Sequence, residues 1–192
     1  DVLLQHGANI NARTKWWAGG FGVLEWDCPP ETPEVAEALI KRGAVVDAWA
    51  ASHLGMLDRL RELVTAGPSL INARGGDGKT PLHCAATPQI VDFLVDRGAN
   101  LEARCVDHES TPLQYQVGNR PVARRLIERG AHVDIFAATA LGDEALVRRC
   151  IERDPACVTH RLGRPPWVTA PPAGGSIYNW TLGHSLTVLD VA

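Results

Sequence analysis

Along the chain, apolar residues return in pairs. Leu3-Leu4, Leu39-Ile40, Leu94-Val95 and Leu126-Ile127 each precede a Gly-Ala step, at 7 and 8, 43 and 44, 98 and 99, and 130 and 131. One helical turn earlier stand Val35-Ala36, Ile90-Val91 and Val122-Ala123. Apolar positions at i, i+1, i+4 and i+5 form one stripe on a helix, and Glu, Arg, Lys and Asp occupy the remaining faces. The pattern predicts short amphipathic helices, each packed on one side. Thr32-Pro33 and Thr87-Pro88 mark helix starts, a Thr N-cap followed by Pro where a missing N–H costs nothing. Gly43, Gly98 and Gly130 mark helix ends, because glycine accepts the left-handed C-cap conformation without penalty.

A second signal is Thr80-Pro81-Leu82-His83-Cys84-Ala85-Ala86, echoed by Thr111-Pro112-Leu113-Gln114 and Thr187-Val188-Leu189-Asp190-Val191-Ala192. Thr-Pro-Leu-His opening a short helix, then a second helix ending in Gly-Ala-Asn, resembles the ankyrin repeat, a turn and two helices over about 33 residues. The resemblance extends over nearly the whole chain. It implies an all-α solenoid of stacked helix-turn-helix repeats whose β-turn fingers, short or expanded, line a concave recognition surface with the inner helices. It also implies that His83 is structural, its ring tying neighbouring turns together.

The departures from that pattern are regular. Asp47, Ala50, Ala51, Leu54, Gly55, Pro68 and Arg74 recur 87 positions later as Asp134, Ala137, Ala138, Leu141, Gly142, Pro155 and Arg161. The expected organisation is a single array with a duplicated three-repeat unit. Its repeats run 14–47, 48–74, 75–104, 105–134 and 135–161, with partial ones at 1–13 and 162–192. Repeats 48–74 and 135–161 have no room for a finger. Both ends read as cut open, as in a piece of a longer protein, and the exposed stacking faces favour self-association of the piece while the full-length protein is expected to be a monomer.

Composition narrows the function classes. The 192 residues are 45% hydrophobic and 21% charged, with a formal net charge of -3, an ordinary globular balance with no overall pull toward nucleic acid or anionic lipid. The apolar runs fall far short of the roughly 20 residues that span a bilayer. Five cysteines, Cys28, Cys84, Cys105, Cys150 and Cys157, include no Cys-x-x-Cys pair, so a disulfide framework is not expected and a reducing cytoplasm is.

Candidate chemistry is sparse. Asp107-His108-Glu109 sets two carboxylates beside an imidazole, but adjacent turn residues point apart and no second His or Cys stands at ligand spacing, so a hydrated fingertip is expected. Gly75-Gly76-Asp77-Gly78-Lys79-Thr80 lacks phosphate-loop spacing and reads as a finger turn. Cys150 and Cys157 read as small buried hydrophobes. Arg124, Arg125, Arg129, Arg148, Arg149 and Arg153 alternate with acids and read as a salt-bridged outer face. No catalytic residue, metal or cofactor is expected.

Tryptophan is the unusual feature. Of six, only Trp49 sits in a fingerless repeat. Trp16, Trp17 and Trp26, with Phe21, crowd the finger of repeat 14–47. Trp167, Tyr178 and Trp180 fall in an expansion over roughly 164–185: Thr80 to Thr187 is 107 positions, 20 beyond the 87-residue register. Two readings stand. These seven aromatics are interface residues, since Trp buries much area at little entropic cost. Alternatively they fill the notches beside the fingerless repeats. At about 10 Å per helix layer, the two loops are expected some 50 Å apart, too far for one small ligand.

The expected function is a scaffold that binds an unidentified protein partner on its concave face and fingers, with no nucleic acid or membrane involved. The alternatives are a small-molecule receptor or enzyme using Tyr178, Asn179 and His184 in the expansion, or a targeting module of a larger protein.

Overall fold

The computed structural model describes residues 2–26, 33–171 and 173–192, without the side chain of Trp26. Short helices follow one another as α1 (Val2–Gln5), α2 (Val23–Trp26), α3 (Pro33–Lys41), α4 (Ala48–His53), α5 (Leu57–Ala66), α6 (Pro88–Val95), α7 (Pro112–Tyr115), α8 (Arg120–Glu128), α9 (Ile135–Ala140), α10 (Glu144–Arg153), α11 (Tyr178–Thr181) and α12 (Val188–Val191). Single 3-10 turns fill Pro68–Asn72, Gly76–Gly78, Pro81–Cys84 and Pro155–Thr159. Among the described residues the extended pairing is one isolated antiparallel bridge, Arg161 to Thr187. Among them, too, no helix is long and apolar enough to cross a membrane.

The caps fall where the side chains dictate. Thr87 accepts the Ile90 amide at the start of α6, whereas Thr32 lies outside the described residues. Thr80, Thr111 and Thr187 each form a capping box, reciprocated by His83, Gln114 and Asp190. The Thr-Pro-Leu-His segment is tighter than an α-helix and makes a single 3-10 turn. At the C-termini, Gly7, Gly43, Gly98 and Gly130 have φ of 87, 95, 87 and 100°. The next amide reaches back five residues, Ala99 to the Leu94 carbonyl and Ala131 to that of Leu126, at 3.0 and 2.9 Å. This is the Schellman arrangement, which a left-handed residue permits.

The 87-residue recurrence is structural. Asp47 and Asp134 accept the Ala50 and Ala137 amides and cap α4 and α9 directly, without a finger. Gly55 and Gly142, at φ 72 and 63°, turn the chain into α5 and α10. Helix α4 packs on α5 and on 81–84, α6 on α8, α9 on α10 and α12, so each layer meets its neighbours. Leu60, Leu82, Ile90, Leu94, Leu126 and Phe136 are fully buried between layers.

Adjacent layers are also stitched by asparagine. Asn11 Nδ2 donates to the Gly43 carbonyl at 2.9 Å while its Oδ1 accepts the Val45 amide at 2.8 Å. Asn72 repeats the clamp on Gly98 and Asn100 at 3.0 and 2.9 Å. Outside, Arg125 and Arg129 converge on Asp92 at 2.7 and 2.8 Å, Arg124 meets Asp143, and Arg148 pairs with Glu144, the salt-bridged face the alternation predicts.

Candidate functional site

Three fingers and one long loop build the concave side. The first finger closes between Thr14 and Phe21, with the Thr14 amide on the Phe21 carbonyl and the Phe21 amide on Thr14 Oγ1, both at 2.9 Å. Arg13 pins its base to Glu25 and Asp47 at 2.6 and 3.0 Å. The loop then leans onto the second finger, where the Asp77 amide donates to the Gly19 carbonyl at 3.3 Å and the Phe21 ring lies against Gly76. A Cβ at Gly76 would collide with that ring, and one at Gly75 would sit 2.7 Å from the Trp49 indole. Gly75 and Gly76 are therefore docking surfaces for aromatic rings.

The third finger hangs from the second. Val106 and Asp107 donate their amides to the Asp77 carbonyl at 2.8 and 3.2 Å, and Cys105 closes on Ser110 at 3.0 Å. Beneath, His83 takes its expected role. Its Nδ1 meets the Thr80 amide and hydroxyl at 3.0 and 2.9 Å, and its Nε2 reaches the Ser110 carbonyl at 3.0 Å. Burial lowers its pKa to about 4 against the pull of that carbonyl, so the ring is neutral at physiological pH.

The expansion does not project away from the array. It folds back over the third finger, with Gly174 donating to the Asp107 carbonyl and Oδ1 at 2.9 and 3.0 Å, His108 Nδ1 to the Gly175 carbonyl at 2.8 Å, and Ile177 to Ser110 Oγ at 3.1 Å. The expected hydrated fingertip is thus corrected: Asp107 and His108 are buried, because the longer loop covers them and takes up Asp107 Oδ1 and His108 Nδ1. Asp77, from the neighbouring finger, stands beside them. No spacing along the chain marks that meeting, since 30 residues separate Asp77 from Asp107.

The two aromatic loops also border one cleft. Trp16, Trp17 and Phe21 from one, and Ile177 and Trp180 from the other, line a cleft of about 1440 Å³ together with Asp77, Asp107 and residues of α1 and α3. A 50 Å separation holds only for loops that stay over their own layers; these two lean inward along the fingers from both directions.

The candidate aromatics divide into two sets. Trp167 stands edge-on to Phe136 of α9 at 5.0 Å, beside Tyr178 at 5.8 Å, and donates Nε1 to His160 at 3.1 Å. Tyr178 is fully buried and its hydroxyl binds Asp134. These two fill the space over the fingerless repeat. Trp16 and Trp17 are 47% exposed and Trp180 is 67% exposed on the cleft, while Phe21 is buried at its wall. Trp26 ends α2 and its side chain lies outside the described residues. Nor do Tyr178, Asn179 and His184 gather: Tyr178 points into the core and His184 is exposed beside Trp180, 6.0 Å between rings. Sequence reasoning missed Asp77 and Lys79 on the cleft; the local signal was the Gly-rich finger that holds Asp77 at φ 55°.

Stacked helix pairs with Thr-capped inner turns, Gly-closed outer helices and fingers on one side define a repeat solenoid. The ankyrin-repeat family model, in three copies, matches residues 48–137, and the helical fold, with no strand among the described residues, is consistent with an all-α ankyrin solenoid. Ankyrin repeat and SAM domain-containing protein 6 of Mus musculus and of Rattus norvegicus are each 29% identical over 96 residues, 47% of this chain and 11% of those proteins. The matched part spans about a tenth of the length of these curated relatives. A solved chain from the complex of a Bdellovibrio bacteriovorus predatory endopeptidase with an immunity protein is 26% identical, covering 66% of this chain and 72% of that one, with a TM-score of 0.38. Ankyrin repeats generally serve as protein–protein interaction modules.

Proposed function

We propose that this protein is a non-enzymatic scaffold that receives a segment of a partner protein in the cleft between its two aromatic loops, and that Trp16, Trp17 and Trp180 are its principal contacts. The observation that carries this reading is the pair of exposed indole walls facing one apolar cleft from both ends of the finger row. Exposed Trp clustered in a concave site is the usual make-up of an interface hot spot. The cleft of about 1440 Å³ exceeds the roughly 300–1,000 Å³ of small-molecule pockets, which favours a stretch of polypeptide over a metabolite. Four described cysteines are free thiols, which suits a cytoplasmic setting. The repeats, in this reading, form one array across 1–192.

Site-specific photo-crosslinking in cells tests it whatever the identity of the partner. A photoreactive residue at position 17 or 180 is expected to capture the same protein, and one at position 148 on the outer face is not. Capture only from position 148, or equally from all three, would overturn the assignment.

A further inference from the structure

Three side chains with metal-ligating atoms, from two adjacent fingers, converge on the lining of the cleft. Asp77, Asp107 and His108 are all buried, and one ligand atom of each lies within 4.8 Å of the others. His108 and Asp107 are each held from the far side by a neighbour. His108 Nδ1 is 2.8 Å from the Gly175 carbonyl, an acceptor only, so Nδ1 carries a proton and Nε2 is the ring atom left facing Asp107. That is the orientation given to a metal-binding imidazole by an outer hydrogen bond. Asp107 Oδ1 accepts the Gly174 amide at 3.0 Å, which turns Oδ2 toward His108 Nε2. The Asp77 carbonyl ties down the third finger through the Val106 and Asp107 amides.

The separation of Asp107 Oδ2 from His108 Nε2 is 3.6 Å. That is too long for a hydrogen bond. Donors at 2.0–2.1 Å from a tetrahedral ion stand roughly 3.4 Å apart, close to the spacing of this pair. Lys79 stands nearby, its ammonium 5.0 Å from the Phe21 ring centroid and 5.7 Å from that of Tyr115.

We propose that Asp77, Asp107 and His108 bind a divalent transition-metal ion of the zinc type, with a coordination position open to the cleft. One imidazole and two carboxylates suit such an ion better than Ca²⁺ or Mg²⁺, which need six or more oxygens or retain their water. All three residues line the cleft, so an entry path exists. The bound ion rivets finger 75–79 to finger 105–110 and, through Gly174 and Gly175, to the expansion. This goes beyond the scaffold reading and needs no partner, so either can fail alone.

The test uses chelator-stripped protein melted with ZnCl₂, CaCl₂ or MgCl₂. Zinc about 100-fold above its Kd is expected to raise Tm by about 5–10 °C, and calcium and magnesium are not. Asp107→Asn keeps the acceptor for Gly174 and His108→Gln keeps a polar amide; both should melt normally without metal and lose the zinc response. Should either misfold by circular dichroism, Asp77→Asn carries the same comparison. Cobalt(II) titration is expected to give bands without thiolate charge transfer. No zinc shift in the parent protein, a shift that survives in the variants, or a thiolate band that places the ion on cysteine would each overturn the proposal.

Discussion

Tyr178 donates its hydroxyl to the carboxylate of Asp134, lying 2.9 and 3.1 Å from its two oxygens, and so locks the expansion to the cap of the fingerless helix α9. The same carboxylate accepts the Ala137 amide at 2.8 Å and Gln114 Nε2 at 2.9 Å. Burial raises the Asp134 carboxyl from its ordinary value even against those donors. Two residues beyond this anchor, Trp180 faces the cleft, so the buried tyrosine positions the exposed tryptophan.

Tyr178→Phe is accordingly expected to lower stability by about 1–3 kcal/mol in urea unfolding, because a buried carboxylate loses a donor that water cannot replace. A change within error would mean that the hydroxyl does not anchor the loop.

The two sets of aromatics predict opposite phenotypes. Trp167→Ala removes the ring packed on Phe136 and should cost about 2–3 kcal/mol of stability. Trp180→Ala, at 67% exposure, should change stability by less than about 0.5 kcal/mol and weaken partner binding instead. Because Trp17 and Trp180 share one cleft, their losses in affinity should be non-additive in a double-mutant cycle. Strict additivity would indicate separate sites.

Gly98→Val and Gly130→Val each force a branched side chain into positive φ with no neighbour within 4 Å of the new Cβ, so strain acts alone. Each should lower stability by about 1 kcal/mol or more. Gly118→Ala, equally open but free of positive φ, should be near neutral in the same thermal melts.

His83 predicts the acid limb of stability. Its pKa is lowered to about 4 from 6.5, so the unfolded chain binds the extra proton first. Its contribution is fully present above pH 6.5 and is lost as pH falls toward 4, by about 3 kcal/mol in all. The raised carboxyls of Asp77 and Asp134 act with the opposite sign, their ionisation opposing folding as pH rises through their folded values. Comparing pH 7 with pH 4.5, the parent protein should lose more Tm than His83→Gln; equal losses would exclude the buried neutral imidazole as the cause.

Several features were legible because they depend on neighbours a few residues away. The Thr-Pro turns and the glycine closures at 98 and 130 each satisfy backbone groups within about one helical turn, and a stripe of apolar residues states which face is buried. Repetition at 87 residues then set the stacking order, since each layer contacts only the next. The destination of the long loops was not legible. Trp167 and Trp180 look alike in sequence, yet one covers Phe136 and the other faces the cleft, because Tyr178 finds its partner 44 residues away on Asp134. The meeting of Asp77 with Asp107 and His108, and the closing of two distant aromatic loops on one cleft, were likewise decided by tertiary structure alone: fingers from successive layers stand side by side, and a loop long enough to fold back satisfies its polar backbone on them rather than in water.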